Sequence, residues 1–273
     1  MLKSVRLRLL IMALLPLIVL MPLLMVVAMA RWNADYDKIL IAKVESDLRI
    51  AEQYLGHLQS NSARALQGIA QSARIAGVLS SGSDATEAFL SESQESLNLD
   101  FLHLLRGDAL TEAKEKWPVI FEAAAGRMAS EIDIFSAEDL AALSPALAKQ
   151  ARIELIDTEA AAPADHTVED RGMVVHTAAP VRVNGEVSVL VGGLLLNRNL
   201  DFIDTLNELV YLQGVSNAGR QGTATLFLSD TRVSTNVRLF EDVRALGTRV
   251  SVAVRDAVLG EGRTWLDSAF VVN

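Results

Sequence analysis

Five side chains in the last quarter of the chain could do recognition chemistry together: Arg232, Thr235, Asn236, Arg249 and Trp265. Arginine presents a planar fork of donors that matches a carboxylate, and the hydroxyl and amide three and four residues beyond Arg232 can complete the grip. An indole adds an aromatic wall for the apolar part of a small ligand. The chemistry expected of this set is capture of a small carboxylate. Its competitor is plain solvation of strand edges and a helix start, because isolated charges usually sit on surfaces.

Nothing in the chain assembles into a catalytic site. There is no cysteine, which excludes disulfides, thiol nucleophiles and cysteine-ligated zinc. His57, His103, His166 and His176 are scattered, and none is paired at the helical spacing a zinc site needs. No GxxxxGK[ST] loop, GxGxxG turn or GxSxG elbow occurs. Gly192-Gly193 and Gly260-Glu261-Gly262 read as a close strand approach and a turn. His103 alternates with Phe101 and Leu105 and reads as a packed or cleft-lining histidine. No catalytic residue, metal ligand or cofactor is expected. The 273 residues carry a formal charge of −9, and of the 25 Lys and Arg three precede Arg31, leaving 22 against 34 acidic residues. A body that acidic is a poor surface for nucleic acid.

The elements that must position these residues begin at an apolar end. Leu9 to Ala30 is a charge-free run of 22 residues. A helix of that length reaches about 33 Å, enough for a bilayer core of about 30 Å. Lys3, Arg6 and Arg8 all precede it, so residues 1–8 are expected in the cytoplasm and everything after Ala30 outside. Ala28-Met29-Ala30 also fits a signal-peptide cleavage site, although the apolar run exceeds the usual core of about 7–15 residues. Both readings put the body across the membrane.

Residues 31–80 read as one long helix, running from Asp35 to Leu79 with a heptad seam through Ile41, Val44, Leu48, Leu55 and Leu58. That seam either packs along its own domain or joins two copies in a parallel homodimer stalk. Residues 81–198 form a first α+β module: a short helix capped at Asp84, a strand closed by the turn Arg106-Gly107-Asp108, and helices from Trp117-Pro118 and near Leu143–Lys149. It ends in a hairpin around Asn184-Gly185, the strongest short hairpin signal in the chain. Residues 199–221 are a linker helix. Residues 222–273 hold strands 223–228 and 232–237, a helix 249–259 and a strand 264–272.

The runs Gly193-Leu-Leu-Leu-Asn197-Arg198-Asn199, Phe202-Ile203-Asp204, Gly222-Thr-Ala-Thr-Leu-Phe-Leu228, Arg232-Val-Ser-Thr-Asn236-Val237, Arg244-Ala-Leu-Gly-Thr-Arg-Val250 and Trp265-Leu266-Asp267 resemble the fused double-Cache sensor domain of bacterial transmembrane receptors. The resemblance implies tandem PAS-like modules with mixed or antiparallel sheets, the second incomplete at Asn273. It implies a periplasmic body anchored in the inner membrane that binds a small molecule. The output would be a sensor histidine kinase acting on a cognate response regulator. A methyl-accepting chemotaxis receptor and an anchored periplasmic binding protein without a transmitter are the alternatives. The family's transmitter, its histidine box and its ATP-binding boxes do not occur in these residues.

Overall fold

The computed structural model describes residues 5–183, 185–211, 222–240 and 242–266. They divide into two units, Met1–Arg49 and Ile50–Asn273. Helix α1 (Val5–Ala70) supplies nearly all of the first unit and opens the second. In the first unit, Met12, Ile18, Met21, Leu24, Met25 and Met29 stand exposed. Among the described residues, no helix is long and apolar enough to cross a membrane, so the span expected at residues 9–30 has no support from the fold. The side chains of residues 9–11, 13 and 15–17 in that stretch lie outside the described residues.

In the second unit α1 stops at Ala70, short of the expected Leu79. The stop is made by Ser72, whose Oγ donates to the Ile69 carbonyl at 2.8 Å and accepts the Ile75 N–H at 3.3 Å. One hydroxyl thus closes α1 and caps α2 (Ala73–Ser81). Gly82, at φ +118°, then turns the chain into α3 (Ser83–Ser96), without a side-chain cap from Asp84.

The next strand is β1 (Phe101–Leu105). Arg106-Gly107-Asp108 does not turn back on itself: Gly107 opens α4 (Gly107–Lys116), followed by α5 (Pro118–Ala124) with proline in its first turn. Then come β2 (Ala129–Phe135), α6 (Ala137–Leu143), α7 (Pro145–Ala151), and the short strands β3 (Ile153–Glu154) and β4 (Val168–Glu169). The expected hairpin is present as β5 (Gly172–Val183) and β6 (Glu186–Leu195). Asn184 of its turn lies outside the described residues; Gly185 has φ +85°.

β1, β6, β5 and β2 make one antiparallel sheet in that order. Alternation sends Phe101, Val189 and Val191 to one face, where α4–α7 cover them, and Leu102 and Leu190 to the other, under the end of α1, α2 and α3. β1 can lie close on β6 because a Cβ on Gly193 would stand 2.6 Å from the Phe101 ring.

β6 runs out through Asn197-Arg198-Asn199 into α8 (Leu200–Tyr211). Residues 212–221 of the expected linker lie outside the described residues. β7 (Thr225–Leu228) and β8 (Thr231–Thr235) form a hairpin, and β9 (Arg238–Phe240) and β10 (Val243–Arg244) a smaller one the sequence did not signal. The helix expected over 249–259 is confined to α9 (Val252–Arg255) and a π-helical turn over 256–260. Residues 264–266 are not strand, and 267–273 lie outside the described residues.

Candidate functional site

The β7–β8 hairpin decides which of the five recognition residues are free to recognise anything. Thr235 is buried, shares a hydrogen bond of 2.7 Å with the Thr225 hydroxyl and accepts the Val237 N–H at 3.0 Å. Asn236 accepts the Ala224 N–H at 2.8 Å and closes the start of β7. Both are structural. Arg249 is consumed as well: its Nε and Nη2 grip Asp230 at 3.2 and 2.6 Å, and its Nη1 donates to the Ala162 carbonyl. Trp265 is half-buried.

Arg232 is different. It faces Phe227 across the hairpin, with its guanidinium carbon 5.3 Å from the ring centre. Only 6% of the residue is exposed, and its Nε and Nη1 are buried without a hydrogen-bond partner among the described residues. Burial pushes its pKa below the ordinary arginine value. A buried cation with no counter-charge costs several kcal/mol after relaxation, so a well-packed fold keeps one only where something else compensates. An anion bound to those two nitrogens would do so.

Residues 194–273 match the family model described as Single cache domain 3. The matched stretch holds Arg232, Asp230 and Arg249 and supports a Cache-type extracytoplasmic sensor. No curated protein matches the chain. Among solved structures, the periplasmic domain of Vibrio cholerae LuxQ is similar with a TM-score of 0.43 and 14% identity, over 80% of this chain and 85% of that one.

A strap from the small two-stranded sheet of β3 and β4 reaches the same region. The loop between β3 and β4 lies along residues 247–252: Ile156 N–H donates to the Gly247 carbonyl at 2.9 Å, Val252 N–H to the Ala160 carbonyl at 2.9 Å, and Arg249 N–H to the Thr158 hydroxyl at 3.2 Å. Asp230, Glu169 and Arg171, which organise this contact, were not singled out in the sequence. Asp230 sits in a Ser-Asp turn, where aspartate is expected for turn chemistry alone. Its pairing with Arg249, 19 residues away, leaves no local signal.

At the junction, Asn197 is fully buried and fully used. It accepts the Met173 N–H at 2.9 Å and donates to the Ala151 and Arg171 carbonyls at 3.1 and 2.9 Å. Asn199 caps α8 by accepting the Phe202 N–H at 2.9 Å. Arg198, at φ +53°, donates its N–H to Val233 at 2.8 Å.

Of the histidines, His103 is exposed on edge strand β1 rather than packed, and His166 is exposed beside Asp165. His176 is buried in a box of Trp117 and Phe135, its Nδ1 2.8 Å from Asp133. Among the described residues no group of three or more His, Asp or Glu could hold a metal ion. Along the heptad seam, Leu55 and Leu58 pack against the Phe202, Ile203 and Leu206 cluster of their own unit. Ile41, Val44 and Leu48 are exposed.

Proposed function

We propose that the chain is the ligand-sensing extracytoplasmic input region of a membrane signal-transduction receptor, and that the ligand is a small carboxylate anchored on Arg232. The buried, unpaired guanidinium of Arg232 carries this reading, because an anion is what its surroundings lack. The stretch matching a Cache family supports the sensor class. The charge-free run Leu9–Ala30 in the sequence, preceded by Lys3, Arg6 and Arg8, supports a single-pass inner-membrane anchor and a periplasmic body. Exposed Ile41, Val44 and Leu48 support a homodimer stalk beyond it. The output we infer is a sensor histidine kinase acting on a cognate response regulator, reached through residues outside this chain. A ligand would shift the receptor by preferring one of two arrangements of the modules and the long helix.

Arg232→Met tests it, since methionine keeps the apolar stem and removes the charge. Acetate and propionate should raise the melting temperature of the full chain, and the variant should lose that response while its ligand-free stability rises by about 1–2 kcal/mol. An undiminished ligand response in the variant would leave Arg232 structural.

A further inference from the structure

We propose that a second ligand site lies beneath the strap: a cleft of about 630 Å³ that holds a small dianion between Arg171 and Arg255. Arg232 does not line it, so the site stands apart from the reading above.

The cleft is walled by the end of the strap, by the turn before β5, by the β7–β8 turn and by α9. Its volume is that of a small-molecule pocket. Two carboxylates inside it are spent on orientation. Glu169, 3% exposed, accepts the Arg171 backbone N–H at 3.2 Å and its Nε and Nη2 at 2.8 and 2.7 Å. Asp230 is gripped in bidentate fashion by Arg249 and stands 3.6 Å from the Arg255 Nε. Glu169 fixes the Arg171 guanidinium and leaves its Nη1 open, whereas Asp230 is held by Arg249 and only neighbours the Arg255 fork. Arg171 Nη1 and the whole Arg255 fork make no hydrogen bond to a described residue, and both side chains stay 45% exposed. Buried, saturated acids behind half-exposed arginines give a surface that presents donors.

Both forks converge on one turn. Arg171 Nη2 reaches the Ser229 hydroxyl at 3.3 Å, and Arg255 approaches the adjacent Asp230. Ser229 holds φ +54°, a left-handed conformation that a serine adopts only when its surroundings require it. His166 adds a half-exposed ring from the strap, with its Nδ1 2.7 Å from Asp165. The remaining acids, Asp165 and Asp256, are exposed at the rim, where water and salt screen them. Two open forks beside one turn suit an anion with charge at both ends or a compact doubly charged oxyanion. Such a ligand would link the β4–β5 turn, which belongs to the first sheet, to α9. Its occupancy would then tighten the strap.

The test is thermal unfolding of the full chain in detergent micelles with sodium succinate or inorganic phosphate, against chloride at matched ionic strength. One of the two should raise the melting temperature saturably, and its identity names the source as dicarboxylate or phosphate. Arg255→Gln should weaken the apparent affinity by at least about tenfold, Arg255→Lys by less, and Arg232→Met not at all. Each variant is compared with its own ligand-free melt, so a changed baseline cannot imitate a lost response. No saturable rise with either anion overturns the proposal, as does an equal rise in Arg255→Gln. A response lost in Arg232→Met and kept in Arg255→Gln would move the dianion to Arg232 and also overturn it.

Discussion

Asp100 is half-buried at the head of β1, where its Oδ2 accepts the Leu195 N–H at 2.6 Å. Burial disfavours its charge and raises its pKa above the ordinary carboxylate value, with the Leu195 N–H opposing in part. A raised folded-state pKa gives stability that is full below the unfolded-state pKa and is lost as pH rises through the folded one. Asp100→Asn keeps the acceptor for Leu195 and removes the titration. We expect it to be more stable than the parent at neutral pH and equal to it in acid, as read by urea melts at both pH values. Residue types alone told which side chains could recognise an anion. They did not tell that Thr235, Asn236 and Arg249 are already occupied, because their partners Thr225, Ala224 and Asp230 come from across a hairpin or from another turn.

At the scale of elements, the strap depends on one glycine. Gly247 sits at φ +81°, and a Cβ there would stand 2.0 Å from the Glu154 carbonyl oxygen. Gly247→Ala should destabilise the chain by at least about 2 kcal/mol through strain and clash together, measured as a fall in the denaturation midpoint. An unchanged midpoint would mean that residues 154–162 do not grip 247–252. Elements with strong local periodicity were legible: the β5–β6 hairpin, α3, α8 and the β7–β8 pair. The break at Ser72 was hidden inside a continuing heptad pattern, since a serine on an apolar seam reads equally as filler or as a cap. Arg106-Gly107-Asp108 misled for the converse reason: glycine followed by an acid marks a helix start as well as a turn. β2, β3 and β4 went unseen because their side chains are mixed in character and their pairing partners lie far along the chain.

For the molecule as a whole, the seam separates into two testable halves. Leu55 packs in the core, so a charge there reports on folding, whereas Leu48 is exposed and its substitution reports on association alone. Leu48→Glu should convert a dimer to a monomer in sedimentation without moving the melting temperature; an unchanged mass rejects an intersubunit seam. An alkaline-phosphatase fusion at Gly82 should be active if the body lies outside the membrane, and an inactive fusion sinks that topology. Composition, charge and hydropathy are properties of residue types, so the sequence alone determined the absence of cysteine chemistry, the acidic body, the apolar N-terminal run and the α+β pattern. Which arginine is left unpaired, which acids are spent orienting others, and which seam residues face a core depend on distances between segments far apart in the chain. Only the tertiary structure decided those, because a guanidinium is free or satisfied according to what folding brings within about 3 Å of it.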